Sequence, residues 1–101
     1  MRKPIDIRYL PTAEKDLMEI FEYIKKDNPA AAASELDKFD QSISKLSRTP
    51  SLGLIPKDRR LREMGYRMLV VDKYLVFYVV KKKFIQIRRV IHGARRYSFL
   101  L

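Results

Sequence analysis

Residues 12–47, TAEKDLMEIFEYIKKDNPAAAASELDKFDQSISKLS, decide the fold. Thr12 stands where a helix N-cap is expected, and Glu14 and Asp16 follow in the first turn, where carboxylates complement the helix dipole. Ala13, Leu17, Ile20, Phe21 and Ile24 recur at spacings of three and four, which predicts one apolar stripe along a helix to about Asp27. Asn28-Pro29 then restarts a helix, because Asn caps well and Pro at the first helical position gives up only an N–H that had no partner. Ala32, Leu36, Phe39, Ile43 and Leu46 carry a second stripe to about Ser47. So short a link turns the chain back on itself, and the stretch reads as an antiparallel helical hairpin. Glu14, Asp16, Glu19 and Glu22 are read as its solvated face.

On the N-terminal side, Ile5, Ile7 and Tyr9 alternate with Asp6 and Arg8, the period of two of a half-buried strand, and Pro11 stops it. On the C-terminal side, residues 49–59 contain Pro50, Gly53 and Pro56 and read as a connector loop. Three runs rich in Val, Ile, Tyr and Phe follow, at 62–71, 74–80 and 84–91. Gaps as short as Asp72-Lys73 and Lys81-Lys82-Lys83 permit only hairpins. The expected architecture is therefore α+β: an N-terminal strand, an antiparallel helical hairpin, then a three-stranded antiparallel meander, all in one domain spanning residues 1–101.

The charge is unevenly placed. Of a net +10, none comes from residues 1–50, where nine basic side chains meet nine acidic ones. Residues 51–101 hold thirteen basic residues against Asp58, Glu63 and Asp72. Such a one-sided field favours polyanionic or acidic partners. The absence of Cys excludes disulfides, thiolate nucleophiles and Cys-based zinc sites, and His92 as the single histidine excludes a multi-His metal centre, so neither metal nor cofactor is expected. Arg2, Lys3, Asp6 and Arg8 break up any apolar signal region, and no uncharged run approaches the roughly 18 residues of a spanning helix. A cytoplasmic protein with no membrane partner is expected.

Candidate chemistry gathers at residues 88–97, where a β-branched strand ends in His92-Gly93 and a basic, aromatic tail. Cleavage of an RNA phosphodiester needs one group to take the 2′-OH proton, one to protonate the leaving oxygen, and cations over the phosphate. His92 and Tyr97 suit the proton transfers, and Arg67, Arg95 and Arg96 the charge. Against this, His92 also suits a strand-end packing role and the arginines a solvated rim. Arg67, inside the otherwise apolar run 66–71, is either paired with a carboxylate at the core edge or aimed at a phosphate. Arg59, Arg60, Arg62 and Lys81, Lys82, Lys83 either follow a phosphate backbone or form solvated faces. Tyr74, Phe77 and Tyr78 are expected in the core. No phosphate-cradling loop can be drawn from Gly53, Gly65 and Gly93.

The order of these elements resembles the RelE/ParE superfamily of bacterial toxins, on the strings at residues 9–17, Asn28-Pro29-Ala30-Ala31, Gly65-Tyr66-Arg67, residues 74–78 and Arg89-Val90-Ile91-His92-Gly93-Ala94-Arg95-Arg96-Tyr97. The resemblance implies the toxin of a type II toxin–antitoxin module, neutralised by a cognate acidic antitoxin. It further implies ribosome-dependent mRNA cleavage, without a metal, in RelE-like members. ParE-like members instead poison DNA gyrase and are not nucleases. Arg67, His92 and Tyr97 match the positions of the nuclease residues, whereas Leu75 stands where RelE has an arginine. The expected partners are thus the antitoxin together with ribosome and mRNA, or alternatively DNA gyrase.

Overall fold

Alternation at Ile5, Ile7 and Tyr9 produces the first strand, β1 (Asp6–Tyr9), which turns one row of side chains inward and leaves Asp6 and Arg8 exposed. The computed structural model describes residues 3–95, 97 and 101. Helix α1 (Pro11–Lys25) begins one residue before the expected cap: Pro11 takes the first helical position, Leu10 precedes it, and no side chain caps the end. Thr12 is instead inside the helix, and its hydroxyl donates to the carbonyl of Arg88 at 3.0 Å. The second start is as expected. Asn28 accepts from the Ala31 N–H at 3.1 Å, and Pro29 opens α2 (Pro29–Ser44), which a 3₁₀ turn extends to Ser47.

The second half departs from expectation at one place. The stretch 62–65, read as strand, belongs to a short helix α3 (Arg59–Glu63) and its exit turn. Asp58 caps it by accepting from Leu61 N–H at 3.1 Å, a capping signal hidden among the surrounding arginines. Gly65, at φ +83°, supplies the left-handed turn into β2 (Tyr66–Val71). Then β3 (Tyr74–Val80) and β4 (Phe84–His92) complete the expected antiparallel meander. The sheet order is β1-β4-β3-β2, with β1 parallel to β4. Both β2 and β1 are therefore edge strands.

Alternation along β3 divides the interior in two. Tyr74, Val76 and Tyr78 face the helical hairpin and join Ala13, Phe39, Ile43 and Leu46 in the main core. Leu75, Phe77 and Val79 face the other side, where Leu61 of α3, Tyr97 and Leu101 cover them. Each side has a continuous apolar cluster, so β3 reads as a central strand buried on both faces.

Where β1 ends, α1 takes over the edge of β4. Leu10 N–H reaches the Ile87 carbonyl at 2.9 Å, Thr12 the Arg88 carbonyl, and Asp16 accepts from Val90 N–H at 2.9 Å. Asp16 thus departs from the solvated-face reading. It is 9% exposed and holds the Arg89 guanidinium through both carboxylate oxygens, at 2.7 and 2.9 Å. The signal was present: Asp16 lies three residues after Ala13 and four before Ile20, on the buried stripe itself.

Candidate functional site

The end of β4 is shaped by a bulge. Phe77 lies opposite Arg89 but Tyr78 opposite Ile87, so β4 carries one extra residue at Arg88. The phase of the strand flips there. Ile85 and Ile87 face the helices before it, and Val90 faces them after it. His92, two residues beyond Val90, consequently turns toward the helical hairpin and stands edge-on to Tyr74, with ring centroids 5.5 Å apart. Its Nδ1 accepts from Ala94 N–H at 3.1 Å.

His92 and Arg95 line an open cleft of about 990 Å³ between α1, α2 and the turn joining β2 to β3. Its apolar floor includes Ile20, Ile24 and Tyr74. Around that floor stand Glu19, Glu35 and Asp72, together with Lys73. Lys38 reaches Asp72 at 3.2 Å and Glu35 at 4.0 Å. Burial, and then the neighbouring Asp72 carboxylate, raises the Glu35 carboxyl above its ordinary value. Burial also raises the Tyr74 phenol, and Glu35 and Tyr23 push it the same way. His92 thus stands in a cleft of mixed charge, where Glu19, Glu35 and Asp72 face Lys73, Lys38 and Arg95. Sequence reasoning missed Glu35 and Asp72, although Glu35 falls three residues after Ala32 and four before Phe39, inside the second apolar stripe.

Tyr97 is on the other side of the sheet. Its ring packs on Phe77, with centroids 5.0 Å apart, within the outer cluster. Arg67 is committed elsewhere again. Its Nη1 donates to the carbonyls of Gly53 at 3.0 Å and Ser51 at 3.4 Å, pinning the connector loop. Tyr78, its cross-strand neighbour, pins the same loop, accepting from Gly53 N–H at 2.8 Å and donating to the Pro50 carbonyl at 2.7 Å. The three residues expected to act together thus lie in three separate settings.

The remaining cations are dispersed. On α3, Arg59 pairs with Glu63 at 2.9 Å, Arg60 reaches the Met64 sulfur at 3.9 Å, and Arg62 donates to the Lys57 carbonyl at 2.6 Å. Lys81, Lys82 and Lys83 form the exposed turn between β3 and β4, and Arg95 is exposed at the cleft. Arg96 lies outside the described residues. Two further cations are ordered against rings on the outer sheet face: Arg8 over Phe84 at 4.5 Å, and Arg88 over Tyr66 at 5.3 Å. Among the described residues no group of His, Asp and Glu is arranged to hold a metal ion, and no helix is long and apolar enough to cross a membrane.

The family model described as the ParE toxin of the type II toxin–antitoxin system parDE matches residues 7–97. The chain belongs to this family. It is a type II toxin of the RelE/ParE superfamily. Solved structures share the fold. The toxin–antitoxin ParDE system of Pseudomonas aeruginosa superposes with a TM-score of 0.74 at 19% identity, covering 90% of this chain and 98% of that one. The RelBE2 toxin–antitoxin complex of Mycobacterium tuberculosis gives 0.61 at 25% identity, over 88% and 98% of the two chains. The YoeB–YefM complex of Staphylococcus aureus gives 0.58 at 19% identity, over 87% and 95%. The RelBE2 and YoeB–YefM structures are complexes. No curated protein sequence matches the chain.

Proposed function

We propose that this toxin arrests growth by docking on DNA gyrase and does not cleave RNA. The observation that carries the reading is the separation of His92, Tyr97 and Arg67. His92 faces the helices beside carboxylates, Tyr97 packs on the opposite face of the sheet, and Arg67 is occupied by loop carbonyls. General acid–base cleavage requires both proton carriers within hydrogen-bond reach of one phosphate. That arrangement is not met by the set matched to the nuclease branch. Membership of the ParE family favours the same reading.

Two assays separate the alternatives. Purified toxin is titrated into a gyrase supercoiling reaction, and mRNA from induced cells is mapped by primer extension. Inhibition of supercoiling with no new mRNA ends is the expected result. New ends at ribosomal A sites, with supercoiling untouched at toxic concentrations, would overturn it in favour of ribosome-dependent mRNA cleavage.

A further inference from the structure

The connector between the helical hairpin and the sheet combines two properties. Its backbone is held from beneath. Tyr78 and Arg67 bind Pro50, Ser51 and Gly53, and Leu54 exchanges both backbone hydrogen bonds with Met68 at 2.7 and 2.8 Å. Its large aliphatic side chains nevertheless face solvent: Leu52, Leu54 and Ile55 are 44, 61 and 58% exposed. Leu54 sits opposite Met68 on the β2 edge, and Val70, next on the same face of that strand, is 55% exposed. Leu54 and Val70 therefore share one face at the sheet edge, with Leu52 and Ile55 flanking Leu54 in the loop.

A loop that served only to connect would gain nothing from displaying three aliphatic residues on a fixed backbone. A binding loop gains, because ordering settled in the free protein is not lost on association. Grouped aliphatic exposure of this kind marks a protein interface. Its surroundings specify the chemistry of the partner. Residues 49–57 carry no acidic side chain, Lys57 is exposed beside the patch, and the arginines of α3 follow directly. Asp58 is turned inward to cap that helix. An aliphatic centre with a cationic rim fits an amphipathic protein segment whose apolar face is bordered by Asp and Glu.

We propose that Leu52, Leu54, Ile55 and Val70 form the docking site for an acidic amphipathic segment of the cognate antitoxin. The inference rests on the toxin–antitoxin assignment and is independent of whether gyrase or mRNA is the target. The test is titration calorimetry of the toxin with its purified antitoxin, using Leu54→Ser/Ile55→Ser, Lys57→Glu and the parent. The double variant removes only exposed side chains and keeps the Leu54–Met68 backbone pairing, so its urea midpoint should match that of the parent. Antitoxin affinity is expected to fall by at least about 30-fold in the double variant. For Lys57→Glu a smaller loss is expected, which shrinks in high salt. Affinity within about threefold of the parent would overturn the proposal. So would unchanged antitoxin affinity combined with lost growth arrest, which would place the target on this patch. A parent dimer that the double variant converts to monomer, again with antitoxin affinity unchanged, would assign the patch to a second copy of the chain and also overturn the proposal.

Discussion

Asp16 holds Arg89 through two charge-assisted hydrogen bonds, at 2.7 and 2.9 Å, and the same Oδ2 accepts the N–H of Val90. One carboxylate in α1 thus fixes both the bulge of β4 and the position of the helix on the sheet edge. Breaking a largely buried pair strands the surviving charge, which typically costs about 3 kcal/mol. Asp16→Ala is expected to lower stability by about that much, read from urea denaturation midpoints, and Arg89→Ala in the same background to add much less. Additive losses in the double variant would show that the two side chains act separately.

Tyr78 and Gly53 form a second dependency. A Cβ at Gly53 would lie 2.6 Å from the Tyr78 hydroxyl and 2.8 Å from the Met68 carbonyl, a close approach that only glycine permits. Gly53→Ala is expected to destabilise by about 2 kcal/mol through overpacking. Tyr78→Phe strands the Gly53 N–H and the Pro50 carbonyl and should cost a similar amount, about 2 kcal/mol. Thermal unfolding of both variants checks this. Limited proteolysis should cut the loop at 50–55 more readily in each.

Glu35 predicts a pH signature. Its carboxyl titrates higher in the folded protein than its ordinary value of 4.5, because of burial and Asp72, so the folded state binds its proton more readily than the unfolded chain. Stability attributable to this group therefore falls as pH rises from about 4.5 through the higher folded value, and the loss is complete above it. Glu35→Gln removes that loss. The variant is expected to equal or exceed the parent in stability at pH 8, with the difference closing by pH 4. A Gln variant less stable than the parent at pH 8 would show that the Lys38 contact outweighs burial.

Growth arrest supplies the fourth prediction. If the toxin acts by docking, His92→Gln and Tyr97→Phe leave arrest within a few-fold of the parent, since Gln keeps a polar side chain at the exposed position 92 and Phe keeps the ring that packs on Phe77. A nuclease using these residues as proton carriers would lose about a hundredfold or more. Dilution plating of induced cells, with toxin levels matched by immunoblot, reads the difference.

Local rules account for the hairpin and the meander. Asn28-Pro29, the two apolar stripes and the two short gaps between strands were legible because capping, periodicity and turn length depend on neighbours in the chain. Helix α3 was obscured because its cap, Asp58, stands within a run of basic residues that resembles loop. Asp16 was misread because charge was taken as a sign of exposure, and Glu35 went unread, although both lie on apolar stripes.

The sequence by itself determined an α+β fold, the order of its main elements and its placement among the RelE/ParE toxins. It also determined that the positive excess lies beyond residue 50. Only the tertiary structure decided what the marked residues touch. One extra residue in β4 turns His92 toward the helices, while Tyr97 packs on the far face of the sheet, and no local pattern reports the phase of a bulge. Arg67 and Tyr78 reach carbonyls 14 to 28 residues away, and Asp16 reaches across 73 residues to Arg89. Contacts at such separation are set by strand register and helix placement, which follow from packing the whole core at once.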